Sequence, residues 1–193
     1  MEDAHSTARP AGGRVSTEPA ALLTDAVRAM IGVRGPELVA PYPLTEDSLR
    51  RFTQALMIND RLHWDSGYAR ASRYGDLVAP PLWPSHAHVR PAGTPDPLDA
   101  LALDPDWDGL GPAAIGGLPP LPVPALRALN GGVEAELFAL ARVGDRVVSQ
   151  SRYADISERS GRSGPMLLVR IETRHSTDGG TRLAVIMSTL ILR

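Results

Sequence analysis

The chain contains no cysteine and no lysine, since all 20 of its basic residues are arginine. Without cysteine there is no disulfide, no thiolate nucleophile and no Cys-rich zinc or iron–sulfur site. Without lysine there is no side-chain amine for a Schiff base and no P-loop lysine for nucleotide phosphates. These absences exclude several classes of covalent, redox and nucleotide-hydrolysing enzyme.

An excess of positive charge and long apolar runs are lacking as well. The net charge of -2 and the pI near 6.2 indicate no basic face for nucleic acid. No apolar run approaches the roughly 18 residues of a membrane span, and the first 20 residues lack the apolar segment of a secretory signal. We therefore expect a cytoplasmic protein that binds neither nucleic acid nor membrane.

The length of 193 residues suits one domain with additions. Residues 1–18 mix Gly, Pro, Ser, Thr and charge without periodicity, which predicts a disordered tail and leaves 19–193 as a single domain. Residues 91–124 carry nine prolines and five glycines with little periodicity. Such a segment is long for a loop, and we interpret it as an insertion or a lid.

The first half of the chain is predicted to be helical. A short amphipathic helix is expected from Glu18, and Thr45 is a good N-cap for a helix over 46–57. Asp65 can cap a further short helix that ends at Ala71. The Pro80-Pro81 pair suits the first turn of another helix running toward Val89.

The second half is predicted to be β-sheet. Besides a short strand over 37–42, strands rich in Val, Ile, Leu and Thr are expected over 133–139, 146–155, 165–174 and 182–192. The cluster at 177–180 is a strong hairpin signal. Helices followed by an antiparallel meander predict an α+β fold.

His63 is the candidate catalytic residue, because it lies in a polar loop and is flanked by carboxylates and an amide. A neutral imidazole with a pKa near 6.5 can accept a proton, and such a base is worth about a hundred- to ten-thousandfold in rate. The alternative is that His63 only packs beside Trp64. His86 and His88 have no third partner at ligand spacing, so we expect no metal site and no cofactor.

The stretch from Asn59 to Pro81 resembles the active-site segment of the MaoC-like (R)-specific enoyl-CoA hydratases and dehydratases. Within them it is most similar to the N-terminal half of the fatty-acid-synthase-type dehydratases. That segment has the pattern D-x-N-P-(I/L)-H, in which the aspartate and the histidine act together. His63 falls on the histidine, Asp60 on the asparagine and Ile58 on the aspartate.

An isoleucine can neither orient water nor accept a proton, so the departure at Ile58 leaves three alternatives open. Asp60 could supply the carboxylate through a shifted loop. Asn59 could hold the water as a neutral partner. The chain could also be a non-catalytic subunit.

The resemblance implies a single hotdog fold, in which an antiparallel sheet wraps around a central helix, here beginning near Pro81. It also implies that backbone amides near the glycine turn hold the thioester carbonyl. The substrate-binding residues expected on this basis are Gly75, Val78, Ala79, Pro81, Leu82 and Trp83. Arg159 and Arg162, in a loop over 158–166, could pair with phosphates of coenzyme A or phosphopantetheine, or the loop could be a solvated hairpin.

The function implied is reversible hydration of enoyl thioesters, with His63 as general acid and base. The substrate would be an acyl-CoA or an acyl carrier protein, and the assembly a homodimer or a heterodimer with a second MaoC-like chain. Two other functions stay open. One is a non-catalytic acyl-thioester-binding subunit of such a heterodimer, and the other is a different reaction on a tethered acyl chain, such as cyclisation or thioester hydrolysis.

Overall fold

The computed structural model describes residues 21–96, 99, 103–106, 115–124, 126–161 and 164–193. In chain order the elements are α1 (Asp25–Arg28), β1 (Leu38–Val39), α2 (Glu46–Ala55), a first 3-10 turn (Arg61–His63), α3 (Ser66–Ala71), a second 3-10 turn (Trp83–His86), β2 (Ala128–Leu137), β3 (Val147–Gly161), β4 (Gly164–Thr177) and β5 (Arg182–Leu192). The strands form one antiparallel sheet in the order β1-β3-β4-β5-β2. The predicted α+β class is confirmed, while the tail predicted over 1–18 lies outside the described residues.

α2 starts where its capping signal predicts. The Thr45 hydroxyl accepts the Ser48 N–H and the Ser48 hydroxyl accepts the Thr45 N–H, both at 3.1 Å, which satisfies two N–H groups that the helix leaves without partners. The predicted end at Met57 is wrong, because the helix stops at Ala55. Met57 has a left-handed φ of 53° and is exposed.

The other helical segments are shorter than their patterns suggest, apart from α3. α3 begins after its predicted cap, Asp65, and ends at Ala71. Among the described residues the first predicted helix is one turn, capped by Thr24. The helix expected from Pro81 toward Val89 is the second 3-10 turn, four residues long. Pro84 stands inside it and has no N–H to donate, which disfavours a continuous α-helix here.

All four predicted long strands are present, and β5 has the predicted bounds. β3 and β4 are longer than expected, because their pairing continues to Gly161 opposite Gly164. The loop predicted over 158–166 is therefore wrong: Arg159 lies within β3, opposite Met166. The hairpin predicted at 177–180 joins β4 to β5, and Gly180 takes the left-handed φ of 86° that glycine tolerates.

The core consists of two apolar clusters with hydrogen-bonded polar residues between them. We call these polar residues, His88, Ser149 and His175, the polar belt. β3 contributes Val147 to the first cluster and Tyr153 to the second. Between them, the Ser149 hydroxyl lies 2.7 Å from His88 Nε2 and 2.7 Å from His175 Nδ1. Ser149 and His175 are buried and His88 is half-buried. Their hydrogen bonds to one another avoid the cost of unpaired polar groups.

The described end of the proline-rich insertion covers the second cluster. Leu118 is fully buried there, and the Pro119 carbonyl accepts a 2.8 Å hydrogen bond from the Tyr153 hydroxyl. Gly116 packs so tightly on Ser151 that an added Cβ would collide with its hydroxyl. This part of the insertion forms a wall of the core, and the part over 107–114 lies outside the described residues.

The buried His175 predicts a pH-dependent stability. Burial lowers its pKa to about 4, whereas in the unfolded chain it titrates near 6.5. Protons therefore bind the unfolded state preferentially as the pH falls from 6.5 to 4, and the free energy of unfolding should decrease by up to about 3 kcal/mol in that window. Below the folded-state pKa this contribution becomes constant.

His175→Gln, which keeps a hydrogen-bonding group for Ser149 but does not titrate, should flatten this decrease. Urea unfolding at pH 7, 6, 5 and 4 measures it. The control is His86→Gln at an exposed histidine. An unchanged pH dependence in His175→Gln would contradict the assignment.

Candidate active site

The first 3-10 turn directs the His63 side chain into the protein. Asp60 precedes the turn, and its carboxylate accepts the Leu62 N–H at 3.0 Å while its carbonyl accepts the His63 N–H at 3.2 Å. Arg61 remains exposed, whereas His63 is only 6% exposed. The aspartate thus fixes the backbone that places the imidazole.

A single hydrogen bond sets the chemistry of the imidazole. His63 Nδ1 lies 2.7 Å from the Val78 carbonyl oxygen. A carbonyl only accepts, so Nδ1 carries the hydrogen and donates it. In the neutral ring Nε2 then holds a lone pair, which makes it the nitrogen that can accept a proton.

The peptide segment 77–79 is itself held between two other segments. On one side the Val78 N–H donates to the Leu62 carbonyl at 3.4 Å. On the other side the Ala79 N–H donates to the Ala141 carbonyl at 2.7 Å, and Val78 forms an antiparallel bridge with Arg142. We call residues 77–79 the central rib, because it connects the histidine turn to the segment before β3.

His63 lines a cleft of about 370 Å³ with Glu46, Asp47, Arg50, Trp64 and Leu77. The start of α2 therefore lines the same cleft as His63. The sequence indicates Glu46 and Asp47 only as helix-start residues, and their place beside His63 depends on a tertiary contact that no local signal predicts.

The two α2 carboxylates in this cleft differ in their partners. Asp47 accepts hydrogen bonds from Arg50 and Arg51, both at 2.8 Å, and these hydrogen bonds hold its pKa below the ordinary value. Glu46 is exposed and contacts no ionic or hydrogen-bonding partner within the described part of the chain. Of the two, Glu46 is the carboxylate left free to engage a ligand.

Ile58 and Asn59 line a neighbouring cleft of about 540 Å³, which shares Arg50 and Trp64 with the His63 cleft. Neither the Asn59 amide nor the Asp60 carboxylate makes a hydrogen bond to the imidazole in the structure. Ile58 occupies the position that the resemblance assigns to an aspartate. Its side chain is apolar and half-buried, and it lies beside the histidine cleft.

The amides expected to hold a thioester carbonyl are mostly engaged already. The Gly75 N–H donates to the carbonyl three residues earlier at 3.2 Å, so the sequence expectation of a free amide there is corrected. The N–H groups of Val78 and Ala79 donate the hydrogen bonds that hold the central rib, and Pro81 has no N–H group. The Leu82 N–H, at the start of the second 3-10 turn, donates to no described residue and remains available.

Two further expected binding residues, Trp83 and Arg159, do not line the His63 cleft. Trp83 is 6% exposed and belongs to the first apolar cluster. Arg159 is twelve residues along β3 from Val147, which at the rise of a strand is roughly 40 Å. Arg162 lies outside the described residues.

The other histidines of the described ranges have structural contacts. The His86 ring contacts Phe52 in a tilted arrangement with centroids 5.1 Å apart, and His88 belongs to the polar belt. The described residues contain no group of three or more His, Asp or Glu arranged for a metal ion. No helix in the described ranges is long and apolar enough to cross a membrane.

Comparison with known proteins gives consistent matches. The family model of the FAS1-like dehydratase domain region matches residues 29–185. A UPF0336 protein of Thermobifida fusca (strain YX) is 23% identical over 160 residues, which covers 83% of this chain and 90% of that protein.

Two solved structures show the fold. In the ChsH1-ChsH2 complex from Mycobacterium tuberculosis, the similar chain has a TM-score of 0.62 at 15% identity, covering 86% of this chain and 88% of that one. The (R)-hydratase from A. caviae involved in PHA biosynthesis has a TM-score of 0.53 at 14% identity, covering 83% and 94%. The fold is the hotdog fold, and the chain belongs to the FAS1-like dehydratase-region family.

Proposed function

We propose that the chain catalyses the reversible hydration of trans-2-enoyl thioesters, which in the other direction is the dehydration of 3-hydroxyacyl thioesters. The observation that carries the proposal is the buried His63, whose Nδ1 donates to Val78 and whose Nε2 is left as the proton acceptor beside a cleft. Membership of a dehydratase family supports a hydro-lyase reaction.

His63 carries out both proton transfers in this proposal. In hydration, Nε2 accepts a proton from water while the water oxygen bonds to C3 of the enoyl group. The electron pair of the C2–C3 double bond moves onto the thioester carbonyl, and the resulting enolate then takes the proton from the imidazolium at C2. An amide donor such as the Leu82 N–H stabilises the enolate oxygen as its charge develops.

The substrate's carrier in this proposal is coenzyme A or a carrier protein, and the working assembly is a homodimer or a heterodimer with a second MaoC-like chain. The ChsH1-ChsH2 structure is a complex of two proteins, and at least one of its chains has this fold. That complex supports the heterodimer as one of the two arrangements.

His63→Asn tests the proton acceptor. Asparagine keeps a side-chain N–H for the Val78 carbonyl but removes the base, so kcat for enoyl-thioester hydration should fall by about a hundredfold or more. Thermal unfolding of the variant should stay close to that of the parent chain. His86→Asn serves as the matched control at an exposed histidine, and full activity in His63→Asn would refute the proposal.

Asp60 has two separable contributions. Asp60→Asn keeps an oxygen acceptor for the Leu62 N–H, whereas Asp60→Ala removes it and should cost about 1 kcal/mol in the free energy of unfolding. If the carboxylate also orients water, Asp60→Asn lowers kcat by about tenfold or more at unchanged stability. Wild-type kcat in Asp60→Asn would remove Asp60 from the mechanism, and Glu46→Gln and Asn59→Ala in the same assay identify the group that replaces it.

A second candidate function is favoured by Ile58, which leaves an apolar side chain where the related hydratases have a carboxylate. In this case the chain binds the acyl thioester for a catalytic partner. The purified chain alone would then show no hydration, with or without His63→Asn, and activity would appear only on addition of the partner.

Ile58→Asp discriminates between the two functions. If the missing carboxylate limits a catalytic chain, this variant should raise kcat of the isolated chain by about tenfold or more. Ile58→Asn is the uncharged variant of matching size and should not do so. Absence of activity in all three forms would favour the binding subunit.

A further inference from the structure

A separate cleft of about 640 Å³ lies on the other side of the central rib from His63. Its walls combine cationic, aromatic and apolar groups, and it is lined by Arg73, Tyr74, Leu137, Phe138, Ala139, Leu140, Arg142, Asp145 and Thr181. No sequence motif singles out this cleft, because its residues come from three separate parts of the chain.

The two arginines that line the cleft are not neutralised by carboxylates. Arg73 donates to the Tyr74 hydroxyl and lies over its ring, 4.8 Å from the centroid. Neither Arg73 nor Arg142 forms an ion pair in the described ranges, in contrast to the Arg152–Glu172 pair. The guanidinium groups are exposed and available to an anion.

The nearby charged groups leave the cleft cationic. The carboxylate of Asp145 accepts the backbone N–H of Arg142 at 2.7 Å, so one of its oxygens is already engaged. Arg182 lines a different cleft, although its guanidinium lies 3.7 Å from the centroid of the Phe138 ring. Two arginines and one aspartate therefore line this cleft.

Two backbone segments separate this cleft from the His63 imidazole. Arg142 is bridged to Val78, and Val78 accepts the hydrogen bond from His63. Two inter-strand spacings amount to roughly 10 Å. This straight-line separation is shorter than an extended pantetheine arm, whereas Arg159 lies roughly 40 Å, measured along β3, from the end of the sheet near the rib.

We infer that the Arg73–Arg142 cleft binds the phosphate of a phosphopantetheine arm whose thioester lies at His63. The inference rests on the proposed thioester function and assigns its phosphate subsite to these residues instead of to Arg159. Guanidinium groups bind phosphate oxygens through paired, charge-assisted hydrogen bonds. The apolar wall formed by Leu137 and Phe138 suits the alkyl part of the arm.

Calorimetric titration of the full chain with 4′-phosphopantetheine and with pantetheine tests the site without requiring turnover. The wild-type chain should bind the phosphorylated compound about tenfold more tightly or better. The double variant Arg73→Gln/Arg142→Gln should lose this preference while its affinity for pantetheine is unchanged. Arg170→Gln, which removes one exposed charge paired with Glu134, should keep it.

Equal affinity of the wild-type chain for the two compounds, or no measurable binding of either, would overturn the inference. So would a preference that survives in the double variant or disappears in Arg170→Gln. Coenzyme A then distinguishes the sources of the phosphate. Tighter binding of coenzyme A than of 4′-phosphopantetheine supports this site with coenzyme A as carrier, and equal binding supports it with a carrier-protein arm.

The outcome is separable from that of the proposed reaction. A phosphate preference that depends on Arg73 and Arg142, in a chain without hydratase activity, supports the subsite and contradicts the catalytic proposal. Hydratase activity without any phosphate preference supports the catalytic proposal and contradicts the subsite.

Discussion

The arrangement of the site depends on the peptide groups of the central rib. Val78 uses its carbonyl to accept from His63 and its N–H to reach Leu62, while Ala79 binds the segment that leads into β3. These backbone groups are buried, and satisfying them requires that the three segments lie side by side. The tautomer of the imidazole follows from this constraint, since the nitrogen facing a carbonyl must donate.

The same rib separates two clefts of different character. On the histidine side the walls carry two carboxylates, Trp64 and Leu77, which suits proton transfer next to an apolar acyl group. On the other side the walls carry unpaired arginines and aromatic rings. A substrate with a reactive thioester at one end and a phosphate at the other would use both sides, which is why the two proposals concern one ligand.

The interior of the sheet is not a uniform apolar core. The hydrogen-bonded belt of His88, Ser149 and His175 lies between two apolar clusters. Burial lowers the pKa of both imidazoles, so the belt is neutral at physiological pH and contributes to stability only while it stays so. The described end of the insertion completes the second cluster through Leu118 and Pro119, which gives this proline-rich segment a structural role away from His63.

The sequence by itself determined the features that depend on near neighbours in the chain. These include the capped start of α2, the Asp65 cap of α3, the four long strands and the hairpin at 177–180, because capping and strand alternation are encoded within a few residues. The resemblance around His63 identified the family and the fold. Only the tertiary structure decided that Glu46 shares a cleft with His63, that Arg159 lies far along β3 and that Arg73 and Arg142 share a cleft. Those relations join distant parts of the chain through backbone hydrogen bonds and packing, and no local pattern of residues specifies them.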